Sequence, residues 1–263
     1  MSAVAAIAFE GVDKTFPASR SQPPVQAARA VSFAIQAGEV VSIIGPSGCG
    51  KSTLLNIGSG LAPPTAGVVK VLGVPVQGPN PKVAFMLQKD LLLPWRTIAE
   101  NVEFGLELRG VAPPKRRETS EKLLQQFRLA GFGGHYPHQL SGGMRQRAAL
   151  ARTLAVDPTV LLMDEPFSAL DAQTKMILQQ DLARSVRAHG KTVLFITHDL
   201  SEAVALSDRI LVMSERPGTI VEQIAVDLPD RDKPMQRRKH PQLGEYVAHL
   251  MALLKLDADT DIH

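Results

Sequence analysis

A mostly apolar stretch, VVSII (residues 40–44), runs straight into GPSGCGKST (45–53). No other feature constrains the fold so tightly. Gly45, Gly50, Lys51 and Ser52 meet the spacing G-x-x-x-x-G-K-S/T, which works where a strand ends in a turn and a helix begins. The glycines let successive backbone N–H groups wrap phosphate oxygens, and a helix starting near Lys51 aims its positive end at the same place. Lys51 would then reach the β- and γ-phosphates of a nucleotide, and the Ser52 hydroxyl would hold Mg²⁺. Pro46, Ser47, Gly48 and Cys49 fill the loop and Thr53 follows it, so Gly45–Thr53 as a whole is the candidate nucleotide contact. A chance glycine turn is the alternative, and such a match arises in about one chain of this length in a hundred.

Two further segments belong with this one. VLLMDEP (160–166) is an apolar run ending in two carboxylates. Asp164 would stand beside the metal held by Ser52, and Glu165 could accept a proton from attacking water. Alone, the same letters fit an ordinary strand ending in a solvated acidic turn. LSGGMRQR (140–147) places Ser141, Gly142 and Gly143 at a helix start, a second site suited to an anion. A plain serine N-cap is the simpler reading. Two adjacent glycines carry an entropic cost, however, and imply that something approaches the backbone closely.

The rest of the chain organises around these segments. Strand-like runs recur at VSFAI (31–35), VVKVL (68–72), VAFML (83–87), TVLFIT (192–197) and RILVM (209–213). With intervening helical stretches such as 171–190, they predict an α/β fold with a largely parallel sheet. Residues 98–156 show helical patterning and no good strand, and are read as an inserted helical subdomain with VAPPKRR as a connection inside it. Residues 17–29 read as irregular. A proline- and charge-rich connection (229–241) leads to a helical tail, so the expected division is 1–241 and 242–263. KRR (115–117) and RRKH (237–240) are read as solvated faces. No aromatic residues interleave them, which argues against a nucleic-acid partner.

Together GPSGCGKST, Gln88, LSGGMRQR, LLMDEP, SALD (168–171) and His198 resemble, in order and spacing, the ATP-binding cassette (ABC) ATPases, over about residues 4–225. The resemblance implies the phosphate-loop fold of that family, with an antiparallel β part at the N-terminus and an α-helical insertion. It implies ATP and Mg²⁺ as ligands and a head-to-tail homodimer. In such a pair Ser141, Gly142 and Gly143 of one copy close on ATP held by the other. It further implies Glu165 as catalytic base, His198 as γ-phosphate sensor and Gln88 as contact to Mg²⁺ and the attacking water. Asp164 with Ser52 would complete the metal set, Asp171 would lie at the subunit contact, and Phe16 would stack on adenine.

Only about 90 residues separate the phosphate loop from LSGGM, and one cysteine is present, unlike ABC proteins of DNA repair. The form QKDLLLPWRTIAENVEFGLELRG and the stretch ERPGTIVEQIAVDLPDRD (215–232) resemble the nitrate/sulfonate/taurine/bicarbonate importer branch. The branch implies two separate transmembrane permease subunits, an extracytoplasmic solute-binding protein, and a peripheral place on the cytoplasmic face of the membrane. No apolar stretch approaches the roughly 20 residues that span a bilayer. The single Cys49 fits a reducing compartment. A non-transport ABC ATPase and lipid transport are the competing functions. Leu91–Arg96, containing the only tryptophan, Trp95, is the expected permease socket, rimmed by Lys89, Asp90 and Arg96. Packing of Leu91–Leu93 and Trp95 inside the helical subdomain is the alternative.

Overall fold

The computed structural model describes residues 4–18, 23–168 and 170–256. VVSII is strand β3 (Val40–Ile44), and all five residues are buried. It lies in a six-stranded sheet of order β10-β9-β3-β8-β7-β6, made with β6 (Val83–Met86), β7 (Val160–Asp164), β8 (Thr192–Ile196), β9 (Arg209–Met213) and β10 (Ile220–Ala225). Every neighbouring pair is parallel except β9 with β10. The central strands are buried along nearly their whole length because both faces are covered. Edge strand β10 alternates between half-buried and exposed residues, and its polar content hid it from the sequence reading.

VSFAI and VVKVL are strands of a different sheet. They belong to β2 (Val25–Ile35) and β4 (Ala66–Val71), which join β1 (Ile7–Phe16) and β5 (Val74–Pro75) in an antiparallel sheet of order β2-β1-β4-β5. Their burial alternates, as expected where one face packs on the core, and Phe9 stacks on Phe33 at 4.5 Å. β1 was not read from sequence, because its register breaks between Phe9 and Val12 and interrupts the period of two. β2 also begins earlier than expected. Of the stretch read as irregular, 19–22 lies outside the described residues, while Val25–Arg29 is strand.

Eight α-helices are described: α1 (Lys51–Gly58), α2 (Ile98–Leu108), α3 (Pro113–Gln126), α4 (Gly142–Ala155), α5 (Ala172–Ala188), α6 (Leu200–Leu206), α7 (Pro234–Arg237) and α8 (Leu243–Leu253). Thr97 and Glu100 form a reciprocal cap at the start of α2. VAPPKRR is not a connection throughout. Pro113 opens α3, at a position where the missing N–H has no helical partner to lose, and the basic residues follow within the helix.

Helices α2, α3 and α4 share one core with the sheet. Ile98, Val102, Phe127 and Leu150 cluster with Leu161, Met163 and Phe195. At the far end, α8 lies on α6 and buries Leu250 beside Val204 and Ile210. Residues 257–263 of the expected tail lie outside the described residues. The reading of RRKH as a solvated face is corrected. Arg237 is buried and donates to the carbonyl oxygens of Pro229 (2.9 Å), Ser207 (2.6 Å) and Leu228, which satisfies the charge by hydrogen bonding. No described helix is long and apolar enough to cross a membrane.

Candidate active site

The loop between β3 and α1 is built as its sequence demands. Gly50, with φ of 109°, precedes α1, and a Cβ there would be driven into the Ala27 carbonyl of β2. Lys51 Nζ donates to the carbonyl oxygens of Gly45 (2.7 Å) and Pro46 (2.8 Å), bracing the loop across its mouth. Cys49 is buried with the β-sheet core, its Sγ 3.8 Å from Lys51 Nζ, as a small side chain in a tight loop should be. An open cleft over this loop is bordered by Ser47, Gly48, Lys51, Ser52 and Thr53, with Phe16 and Glu165 at its edges. Phe16 ends β1, is 45% exposed, and has Lys14 Nζ 5.3 Å from its ring centre.

The carboxylates occupy distinct environments. Burial pushes the pKa of Asp164 up, and the neighbouring Glu165 charge adds to this, while the Ser52 hydroxyl and Lys51 oppose it. Ser52, in the first turn of α1, and Asp164, the last residue of β7, therefore lie near each other. Glu165, the residue after β7, has a left-handed φ of 46°. Its Oε2 accepts from Gln88 Nε2 at 2.9 Å and stands 3.5 Å from His198 Nδ1. Three residues from three loops thus converge, with one carboxylate oxygen at their centre.

The second group sits at the starts of α4 and α5. Ser141 Oγ accepts from the Met144 amide at 3.3 Å, so the serine is an N-cap. Asp171 caps α5 by accepting from Thr174 N at 3.0 Å, and its hydrogen bonds to Thr174 hold its pKa low. A Cβ on Gly143 would press on Thr174 Cγ2 at 3.2 Å, which is an internal reason for that glycine. Gly142 has none, since among the described residues a Cβ there would meet nothing nearer than Arg145 Nη2 at 3.9 Å. Ser141, Gly142 and Asp171 are all exposed. The border of the cleft does not include this group. Ala169, within SALD, lies outside the described residues.

Residues 88–97 were only partly legible. Leu92 is buried in the main core, whereas Leu91 and Trp95 are 53% and 71% exposed. The charged groups expected as a rim differ in their settings: Lys89 is exposed, and Arg96 borders the same groove as Trp95. Asp90 turns inward to Arg145 (3.0 Å), and Arg96 pairs with Glu107 (2.6 Å). What holds the loop was not foreseen. Arg152 of α4 donates to the carbonyls of Leu91 (2.7 Å) and Asp90 (2.6 Å). Buried Asn101 of α2 accepts from Leu93 N (2.7 Å) and donates to Leu93, Arg96 and Thr97 carbonyls. Gln146 of α4 donates to the Pro166 carbonyl at 2.9 Å, next to Glu165. α4 therefore grips both the segment after Gln88 and the turn after Glu165. A buried asparagine inside an amphipathic helix was the available signal for one of these anchors.

A glycine-rich loop and lysine at the end of a parallel strand, with two carboxylates closing a nearby strand, define a phosphate-loop nucleoside triphosphatase. The exposed serine–glycine helix start narrows this further, and comparison with known proteins gives the family. The ABC transporter family matches residues 28–168. The chain is 46% identical over 231 residues to an uncharacterized ABC transporter ATP-binding protein of Methanocaldococcus jannaschii, covering 88% of this chain and 85% of the relative. It is 48% identical over 201 residues to the taurine import ATP-binding protein TauB of Yersinia pestis (76% and 79% covered), and equally to that of Burkholderia pseudomallei (76% and 77%). Among solved structures it resembles the dimeric ATP-binding cassette MJ0796 bound to ADP and Pi. The TM-score is 0.76 and the identity 33%, with 84% of this chain and 99% of that one covered. The chain belongs to the ABC transporter ATPase family. It binds ATP and is an ATP-hydrolysing transporter subunit with an α/β phosphate-loop fold.

Proposed function

We propose that this chain powers uptake of a small solute, of the taurine, sulfonate, nitrate or bicarbonate kind, through separate membrane subunits. The observation that carries the catalytic part is the convergence of Gln88 and His198 on Glu165 Oε2. Glu165 would take the proton of a water attacking the γ-phosphorus, the bond to the β-phosphate oxygen would break, and ADP and phosphate would leave. Gln88 and His198 would hold that carboxylate and the water in line, Lys51 would turn to the β- and γ-phosphates, and Phe16 would stack on adenine. Residues 1–241 would form the ATPase unit and 242–263 a short tail.

The donor set fits Mg²⁺. The Ser52 hydroxyl, the Asp164 carboxylate and the Gln88 amide oxygen are all hard oxygen ligands, and the first two are already neighbours. When bound, Mg²⁺ would offset charge building on the β- and γ-phosphate oxygens.

The exposed start of α4, with a glycine at 142 that nothing among the described residues requires, supports a head-to-tail homodimer. There Ser141, Gly142 and Gly143 would approach the partner copy's nucleotide and Asp171 would lie at the contact. The exposed Leu91 and Trp95 support docking of a permease segment, at the cytoplasmic face of the membrane, and a solute-binding protein would deliver the solute. The similarity to taurine import subunits favours import over the alternatives. Deleting the gene should abolish ATP-dependent uptake of radiolabelled taurine or another solute of this group, with restoration by the wild-type gene. Undiminished uptake of every solute in this group would refute the importer reading.

A further inference from the structure

The hairpin between β9 and β10, which carries the sequence SERPGT (214–219), lies against the phosphate loop. Arg216 donates from Nε (3.0 Å) and Nη2 (2.6 Å) to the Gly48 carbonyl. Gly218 packs so closely that a Cβ would be driven into the Cys49 carbonyl. Its backbone also joins β2: Gly218 N donates to the Ala27 carbonyl, and Arg29 N to the Gly218 carbonyl, both at 3.0 Å. The Ser214 hydroxyl closes the hairpin by accepting from Thr219 N at 3.0 Å. This hairpin, the phosphate loop and β2 therefore make one fixed unit.

That packing sets a charge. A neutral carbonyl orients the guanidinium without neutralising it, and no carboxylate pairs with Arg216 among the described residues. The side chain is exposed and borders the same cleft as Phe16, Lys51 and Thr53. Only part of the guanidinium fork is used on Gly48, so further N–H donors remain for a ligand.

We propose that Arg216 is a nucleotide-binding residue, a fixed cation outside the phosphate loop that pairs with the polyphosphate of ATP or ADP. This rests on the reading of the cleft as the nucleotide site. It also accounts for the Arg-Pro-Gly stretch, in which Arg216 supplies the charge and Gly218 lets the backbone come close enough to deliver it.

Calorimetric measurement of Kd for ADP, with the full-length protein and its R216A, R216Q, R216K and K51A variants, tests this. Thermal melts without nucleotide check that each is folded. A charge-assisted contact predicts that R216A and R216Q weaken ADP about tenfold. R216K, which keeps the charge, should recover most of the affinity, and the salt dependence of Kd should be shallower in R216A and R216Q. Wild-type Kd in R216A and R216Q beside a weakened K51A overturns the proposal. So does R216K binding as weakly as R216A. If K51A also keeps wild-type Kd, the cleft is not the nucleotide site, and both readings fall.

Discussion

Gln88 Nε2 and Glu165 Oε2 lie 2.9 Å apart, although 77 residues separate them in sequence. Gln88 begins the segment gripped by Arg152 and Asn101, so the carboxylate is tied through one amide to the loop carrying Trp95. Replacing Gln88 by Ala should lower kcat at least about tenfold, since a misplaced base and water lose orientation as well as chemistry. ATP affinity should change far less. Steady-state phosphate release with a parallel Kd measurement checks this, and an unchanged kcat would dissociate Gln88 from the water.

Asp164 gives a prediction with a definite sign. Its pKa is raised, chiefly by burial, so the folded protein holds this proton more tightly than the unfolded chain does. Its ionisation therefore costs stability. The cost is absent below the unfolded value, near 3.8, and grows as pH rises toward the folded value, above which it is complete. Asp164→Asn should accordingly raise Tm at pH 7 in the absence of Mg²⁺ and nucleotide, with the gain shrinking as pH falls toward about 4. The same variant should lose ATP hydrolysis. Melting curves across this range decide the first point, and a gain that grew at acid pH would contradict the burial argument.

The leucine–tryptophan segment separates packing from docking. Leu92 is buried and Trp95 is largely exposed. Leu92→Ala should cost about 2–4 kcal/mol of stability in denaturant unfolding. Trp95→Ala should change stability by no more than about 0.5 kcal/mol and leave the ATPase rate of the isolated protein intact. If Trp95 serves a permease, its substitution should reduce co-purification with the membrane subunit and solute uptake. Preserved uptake would remove it from the docking surface.

Much of this was readable from the sequence because the chemistry imposes spacing. Gly45–Thr53 had to follow a strand and open a helix, and Asp164 had to end a strand with Glu165 just beyond it. The parallel strands announced themselves by nearly continuous apolar runs. β1 and β10 did not, since a register break and a polar edge leave no clear period. Arg237 looked like surface charge because four letters of sequence cannot show the carbonyls of Pro229, Ser207 and Leu228 that enclose it. Asp90 likewise pairs with an arginine 55 residues away, a contact that only folding reveals. Arg216 was visible only as part of an Arg-Pro-Gly resemblance, with no chemistry attached until the hairpin met the phosphate loop.

The most direct test of the account is single-turnover and steady-state ATP hydrolysis by Glu165→Gln, with sedimentation in saturating ATP and Mg²⁺. A general base contributes about 10²–10⁴-fold, so turnover should fall by that amount. ATP should still bind, and the variant should sediment as an ATP-dependent dimer, with Ser141→Arg blocking dimer formation. Hydrolysis at the wild-type rate in Glu165→Gln would contradict the assignment of Glu165 and, with it, the mechanism built on the Gln88–Glu165–His198 convergence.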